Sequence, residues 1–178
     1  RFYEVHPAGR MGETTGVRYR KAVFACGCFW SKEYFFAKQP GVVSTRVGFT
    51  GGHTEQPSYR EVCGKQTGHA EAVEVTYDAE QTSFAALARY FFEIHDPTVD
   101  RTGKGGQYRS AIFYQDQEQH DIALSLIRQL QKLGYEVATR LAPAGTFWEA
   151  EERHQKYCQA HGRQPQPNRV RRFELPAA

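Results

Sequence analysis

No apolar run in this chain approaches the ~20 residues of a membrane-spanning helix, and the N-terminus carries no signal-peptide pattern. A membrane role is therefore not expected. Charge of one sign is also scarce. The net charge is +3, and the basic residues are scattered apart from the short cluster "NRVRRF", so nucleic acid is not expected as a main partner. Cysteines number four, Cys26, Cys28, Cys63 and Cys158, too few for a disulfide scaffold in 178 residues. "CGC" has no second matched pair, which a structural zinc site would need. Internal repeats and low-complexity segments are absent. What remains is one globular domain of ordinary make-up, 40% hydrophobic and 24% charged, long enough to bury a sizeable core. Reduced thiols fit a cytoplasmic location, and Arg1 in place of Met reads as a sign of processing or trimming.

Strand and helix patterns alternate along the chain. Residues 1–20 have no period and read as an extended arm. "KAVFAC" is a strand pattern, and "FWSKEYFFAKQ" a helical one ended by "PG". "VVSTRVGFTGG" predicts a second strand. A polar loop then leads to "HAEAVEVTYD", where alternation predicts a half-buried strand. "SFAALARYFFEIHD" predicts an apolar helix capped by Ser83 or Thr82. "QYRSAIFY" follows as a strand, then "QEQHDIALSLIRQLQKLG" as an amphipathic helix stopped by Gly134. "YEVATRLA" reads as a strand, "EAEERHQKYCQAHG" as a last helix, and the proline-broken 163–178 as an irregular tail. Several connections are too short for parallel crossovers throughout. The fold expected is α/β (α+β), a mixed twisted sheet with packed helices, in one domain over 21–162.

Cys28 falls where strand gives way to helix, with Gly27 allowing a tight turn. A thiol there faces the free amides of the first helical turn, worth ~1–2 kcal/mol to an anion in favourable geometry. That would lift the thiolate share at pH 7 from roughly 3% to roughly a quarter. Phe29 and Trp30 beside it make a partly exposed aromatic wall, a slot for a small apolar group. On this pattern alone a reactive thiol and a buried core cysteine stand level.

The series "GCFW", "VGFTGGHTEQPSYREVC", "TGHAEAVEVTYD", "HDPT", "QYRSAIFY" and "AEERHQKY" resembles the A-class peptide methionine sulfoxide reductases, from about Lys21 to Gly162 and in the family's order. The resemblance implies a ferredoxin-like two-layer sandwich and reduction of methionine S-sulfoxide, free or in proteins. It implies no metal or organic cofactor. Cys28 would be the nucleophile that becomes a sulfenic acid, and a second thiol would condense with it to a disulfide. Thioredoxin or a glutaredoxin-type reductant would then reset the enzyme. Phe29 and Trp30 match the pocket for the S-methyl group, and Tyr59 and Tyr108 the hydroxyls on the sulfoxide oxygen. A monomer is expected.

Sulfoxide reduction also needs a proton for the departing oxygen. In the strand "HAEAVEVTYD", alternation puts His69, Glu71, Val73, Val75 and Tyr77 on one face and Glu74 on the other, toward solvent. An unperturbed Glu is only ~0.2% protonated at pH 7, whereas one tuned to pKa ~6–7 is protonated in ~10–50% of molecules. On position alone the preferred reading of Glu71 is a strand-end carboxylate paired with His69 or a lysine; with the resemblance it becomes the acid.

Two departures stand out. No cysteine follows Gly162, where many relatives carry the resolving thiol, so Cys158 is the first candidate, with Cys26, Cys63 or an external thiol behind it. The loop "RTGKGGQYRS" also lacks the acidic residue usual a few positions before the tyrosine. Two other readings compete: a peroxide-reducing thiol enzyme needing only Cys28, and a redox sensor or metal module built on "CGC" with His53 or His69.

Overall fold

The computed structural model describes residues 17–166. Most of the N-terminal arm and the tail beyond residue 166 lie outside that range. Six strands form one sheet: β1 (Tyr19–Cys26), β2 (Val42–Thr50), β3 (Ala70–Asp78), β4 (Ser110–Tyr114), β5 (Arg140–Pro143) and β6 (Trp148–Glu149), in the order β5-β4-β1-β3-β2-β6. β1 pairs antiparallel with both β3 and β4, and β2 antiparallel with β3 and β6, while β5 runs parallel to β4. The central order β4-β1-β3-β2, with a helix after β1 and another after β3, is the ferredoxin-like arrangement expected. β1 begins at Tyr19, so the last two residues assigned to the arm belong to the sheet.

Helices α1 (Phe29–Ala37), α3 (Phe84–Glu93) and α4 (Gln117–Lys132) cover one face of the sheet. The main core lies between the layers: Phe24, Val47, Phe49, Val73, Val75 and Ile112 from the strands meet Phe36, Leu87, Phe91, Phe92 and Leu130 from the helices. Phe24 stacks on Phe36 at 4.9 Å and on Phe91 at 5.4 Å between ring centroids. Ser83 is the α3 cap, its hydroxyl accepting from Ala86 N at 3.1 Å. Gly134 follows α4 with φ +98°, a backbone conformation that favours glycine.

The opposite face is also covered, which corrects the half-buried reading of β3. Val23, Ala25, Ala70, Ala72, Ala111 and Phe113 make a second cluster under Ala142, Ala144 and Phe147. Glu74 points to this face, as alternation requires, but is only 8% exposed rather than facing solvent. Its carboxylate takes Arg46 Nε at 2.6 Å and Nη2 at 3.2 Å, and Arg46 lies on the Phe147 ring.

The last predicted helix is not continuous. β6 is followed by a 3-10 turn (Glu152–His154) and by the short α5 (Tyr157–Ala160). Lys156 breaks the run with φ +53°, held there by Glu33, whose Oε1 accepts from Lys156 N and Oε2 from Lys156 Nζ, both at 2.8 Å. The Gln155 amide serves as backbone would, bonding Val47 N, Val47 O and Ala150 O, each at 2.9 Å. "YEVATRLA" forms a strand only at its end, because Ala138 N is drawn to Pro97 O at 2.7 Å before the chain reaches β5.

Candidate active site

Gly27, with φ +114°, turns the chain out of β1, and Cys28 is the N-cap of α1. The thiol is half-buried. Burial is the largest influence on it and pushes its pKa above the ordinary value. The Trp30 and Ser31 amides and the Lys32 ammonium pull it down, while the Glu71 charge pushes it further up. The helix-start effect expected from the sequence is thus present but loses to desolvation.

Glu71 enters from β3, opposite Phe49 on β2, and is 1% exposed. Phe29 N, the amide after the thiol, donates to its Oε1 at 3.1 Å. Gln107 Nε2 donates to its Oε2 at 2.6 Å. Desolvation outweighs both bonds and pushes the carboxyl up to about 7. A carboxyl so placed holds a proton in about half the molecules at neutral pH. Gln107 was not singled out in the sequence; its place just before Tyr108 was the available signal.

Tyr59 opens the five-residue helix α2 (Tyr59–Cys63), started by a capping box in which Ser58 and Glu61 serve each other's backbone amides. Its hydroxyl titrates well above the ordinary phenol value, mainly through burial, with Cys63 and Glu71 adding to the effect. Tyr108 is pushed up to about 12, first by burial and then by the charges of Glu71, Cys28 and Cys63. The two phenols therefore stay protonated donors in a cluster with Cys28 and Glu71.

Phe29 and Trp30 diverge at the start of α1. Phe29 is buried, its ring 5.6 Å from Phe49 and 6.2 Å from Tyr59, whereas Trp30 is half-buried. Trp30 stacks on Tyr157 at 3.8 Å, and its Nε1 donates to His154 Nδ1 at 3.0 Å. His154 packs 4.3 Å from Tyr59 and 5.8 Å from Phe29. It joins the aromatic wall through a motif the sequence displayed without revealing the role.

The other thiols are dispersed. Cys63 is half-buried, with Gln107 Nε2 donating to its sulfur at 3.4 Å, so one amide bridges Cys63 and Glu71. Cys158 is 5% exposed on α5, and its Sγ donates to Trp30 O at 3.4 Å. Cys26 is buried in the core, and desolvation pushes its thiol up to about 12. His69 uses both ring nitrogens, Nδ1 accepting from Gly52 N and Nε2 meeting Thr54 O. Among the described residues no group of three or more His, Cys, Asp or Glu side chains is placed to hold a metal ion.

Residues 20–174 match the family model for peptide methionine sulfoxide reductase. The chain belongs to that family. It is 49% identical over 152 residues to the peptide methionine sulfoxide reductase MsrA of Methanothermobacter thermautotrophicus, spanning 82% of this chain and 90% of that one. Identity to the MsrA of Geobacter sulfurreducens is 46% over 158 residues, spanning 85% of this chain and 96% of the relative. Among solved structures, methionine sulfoxide reductase A of Corynebacterium diphtheriae superposes with TM-score 0.72 at 36% identity, covering 84% of this chain and 78% of that one. Reduced Mxr1 of Saccharomyces cerevisiae gives TM-score 0.74 at 30% identity, covering 86% and 91%. The family expected from the motif series is the one found. As a peptide methionine sulfoxide reductase, the chain has an S-oxide to reduce, and Glu71 bonds the amide next to Cys28 and acts on its thiol.

Proposed function

We propose that this chain reduces methionine S-sulfoxide to methionine with Cys28 as nucleophile and Glu71 as acid. The observation that carries the assignment is the Glu71 carboxyl, buried, bonded to the amide after Cys28 and poised near pH 7. The substrate S-methyl group fits against Phe29 and Trp30, with Tyr59 and His154 completing the apolar wall. Its oxygen turns to Glu71 and the hydroxyls of Tyr59 and Tyr108. The methyl wall, the oxygen donors and the approaching Cys28 sulfur make three different contacts around a stereogenic sulfur and separate the two epimers.

The Cys28 sulfur, as thiolate, attacks the sulfoxide sulfur while Glu71 hands its proton to the oxygen. The resulting hydroxyl passes from the substrate sulfur to the Cys28 sulfur as the bond between the two sulfurs breaks, leaving methionine and a Cys28 sulfenic acid. The proton shed by the thiol replaces the one Glu71 gave, so no proton is gained or lost. A second thiol then displaces that hydroxyl as water and forms a disulfide. For this step the geometry favours Cys63, held by Gln107 beside the acid, over Cys158, buried and bonded to Trp30 O. A complex of Mxr1 with Trx2 has been solved, and a thioredoxin-type dithiol is the reductant proposed here. Such a dithiol fits a reducing compartment, the cytoplasm in our reading.

The test is single-turnover reduction of the two separated epimers. The S-epimer should yield one methionine per enzyme without added reductant, and Cys28→Ser should yield none. Full activity in that variant would exclude this nucleophile.

A further inference from the structure

We propose that the groove beside Tyr108 selects methionine sulfoxide with a carboxylate next to the oxidised side chain, and that Arg101 reads that carboxylate. This rests on the reductase reading above.

A cavity of about 350 Å³ is lined by Lys65, Asp100, Arg101, Gly103, Gln107 and Tyr108. Gln107 and Tyr108 belong to the reactive cluster, so the groove is the part of the substrate path that continues past the S-oxide. The Arg101 guanidinium lies over the Tyr108 ring, 5.2 Å from its centroid. On its other side Nη1 stands 3.5 Å from where a Cβ on Gly27 would be, beside the nucleophile. A planar cation held on an aromatic face keeps its N–H edges free for the two oxygens of a carboxylate.

The charge in the groove is net positive. Lys65 and Arg101 are cations, and Asp100 is the one acid among the lining residues. Asp100 Oδ1 is already taken by Thr102 N at 2.9 Å and Thr102 Oγ1 at 2.6 Å. Lys32 adds a third positive charge nearby, with Asp96 as a second acid; after burial, Lys32 and Arg101 help to hold His95 below its ordinary range while the Asp96 charge opposes them. The arrangement is also fixed in the backbone. Gly105, with φ +83°, lets its loop touch that of Lys65 so closely that a Cβ would sit 2.7 Å from Lys65 O. Only glycine permits that approach, and it keeps the Lys65 and Arg101 loops side by side.

The carboxylate has two sources, an acidic residue flanking the oxidised methionine in a peptide or the α-carboxylate of methionine sulfoxide itself. An exposed pair of this kind is worth about 0.2–1 kcal/mol, roughly 1.5- to 5-fold. Steering by the surrounding cations acts in the same direction and is screened by salt.

The experiment measures kcat/KM with dithiothreitol for three peptides whose S-sulfoxide is flanked by Asp, Asn or Lys. Methionine S-sulfoxide and its α-carboxamide form a second comparison, which separates the two carboxylate sources. Asp should exceed Asn by about 3- to 5-fold, with Lys lowest, and 0.5 M salt should compress the series, given a Debye length of about 4 Å there. Arg101→Glu should reverse the order, which a mere loss of packing on Tyr108 would not do, and Arg101→Lys should retain part of it. Equal rates across peptides and across the acid–amide pair, or an order untouched by Arg101→Glu, would overturn the proposal. Failure to reduce any substrate would instead overturn the reductase reading, and this inference with it.

Discussion

Phe29 N and Glu71 Oε1 lie 3.1 Å apart, which ties the proposed acid to the residue after the proposed nucleophile. The bond crosses from the first turn of α1 to the middle strand of the sheet. Because Phe29 N is backbone and the buried Glu71 carboxyl is pinned by it and by Gln107, the distance between the proposed nucleophile and the proposed proton donor is set by the packing of α1 on β3. Glu71→Gln keeps an acceptor for Phe29 N and the shape of the site but removes the transferable proton. Single-turnover reduction near neutral pH should fall by about 10²- to 10⁴-fold, with the circular dichroism spectrum unchanged. An undiminished rate would mean that another group protonates the oxygen.

The same carboxyl links stability to pH. Its pKa rises from 4.5 when free to about 7 when folded. Below pH 4.5 both states hold the proton, but between there and pH 7 the unfolded chain releases it while the folded protein keeps it. Stability contributed by this group is therefore full in acid and lost as pH rises through about 7, a change on the order of 3 kcal/mol. Glu71→Gln lacks that proton, so its urea midpoint relative to wild type should climb from pH 4.5 to pH 8. A pH-independent difference between the two proteins would contradict the folded-state pKa.

Period and spacing placed the Glu71 side chain on the buried face with Val73 and Val75, because face alternation along a strand is geometry the sequence carries directly, while its role as acid came from the resemblance alone. They failed for Glu74, whose burial depends on Arg46 and Phe147, the latter from a segment more than seventy residues away. They failed again at 149–162, where helical composition is overridden by Glu33 capturing Lys156 and by Gln155 bonding β2. The thiol pKa of Cys28 was misjudged for a related reason. A helix start is visible in sequence, while the depth at which the sulfur sits is a property of the packed chain. Gln107 and His154 lay inside quoted motifs, yet their partners on β3 and α1 become neighbours only in three dimensions.

His154 should act on binding more than on chemistry. Its Nδ1 fixes the Trp30 indole, while its own buried Nε2 has no partner among the described residues. His154→Phe keeps an aromatic ring beside Tyr59 and deletes that orphaned group, but it strands the indole N–H. The two changes offset each other in stability. The freed indole should raise KM by about 3- to 10-fold, with kcat less affected, because neither Cys28 nor Glu71 is touched. A fall in kcat at constant KM would place His154 in the chemical step instead.

The resolving thiol can be identified by comparing Cys63→Ser with Cys158→Ser. Cys63 shares the Gln107 amide with Glu71 and is half-buried, whereas Cys158 is sealed against Trp30 O. To form a disulfide, Cys158 would have to leave its bond to Trp30 O and its buried place on α5. Cys63 is already joined through Gln107 to Glu71, and the disulfide needs its Cα within about 4.4–6.8 Å of that of Cys28. Each variant should complete one turnover and release one methionine, since neither thiol attacks substrate. Cys63→Ser should then retain a Cys28 sulfenic acid trappable by dimedone and lose multiple turnover with thioredoxin. Cys158→Ser should form the Cys28–Cys63 disulfide, visible by peptide mapping, and turn over normally. A Cys28–Cys158 disulfide in the wild-type digest would return the role to α5. Unimpaired thioredoxin turnover in the double variant would assign it to an external thiol.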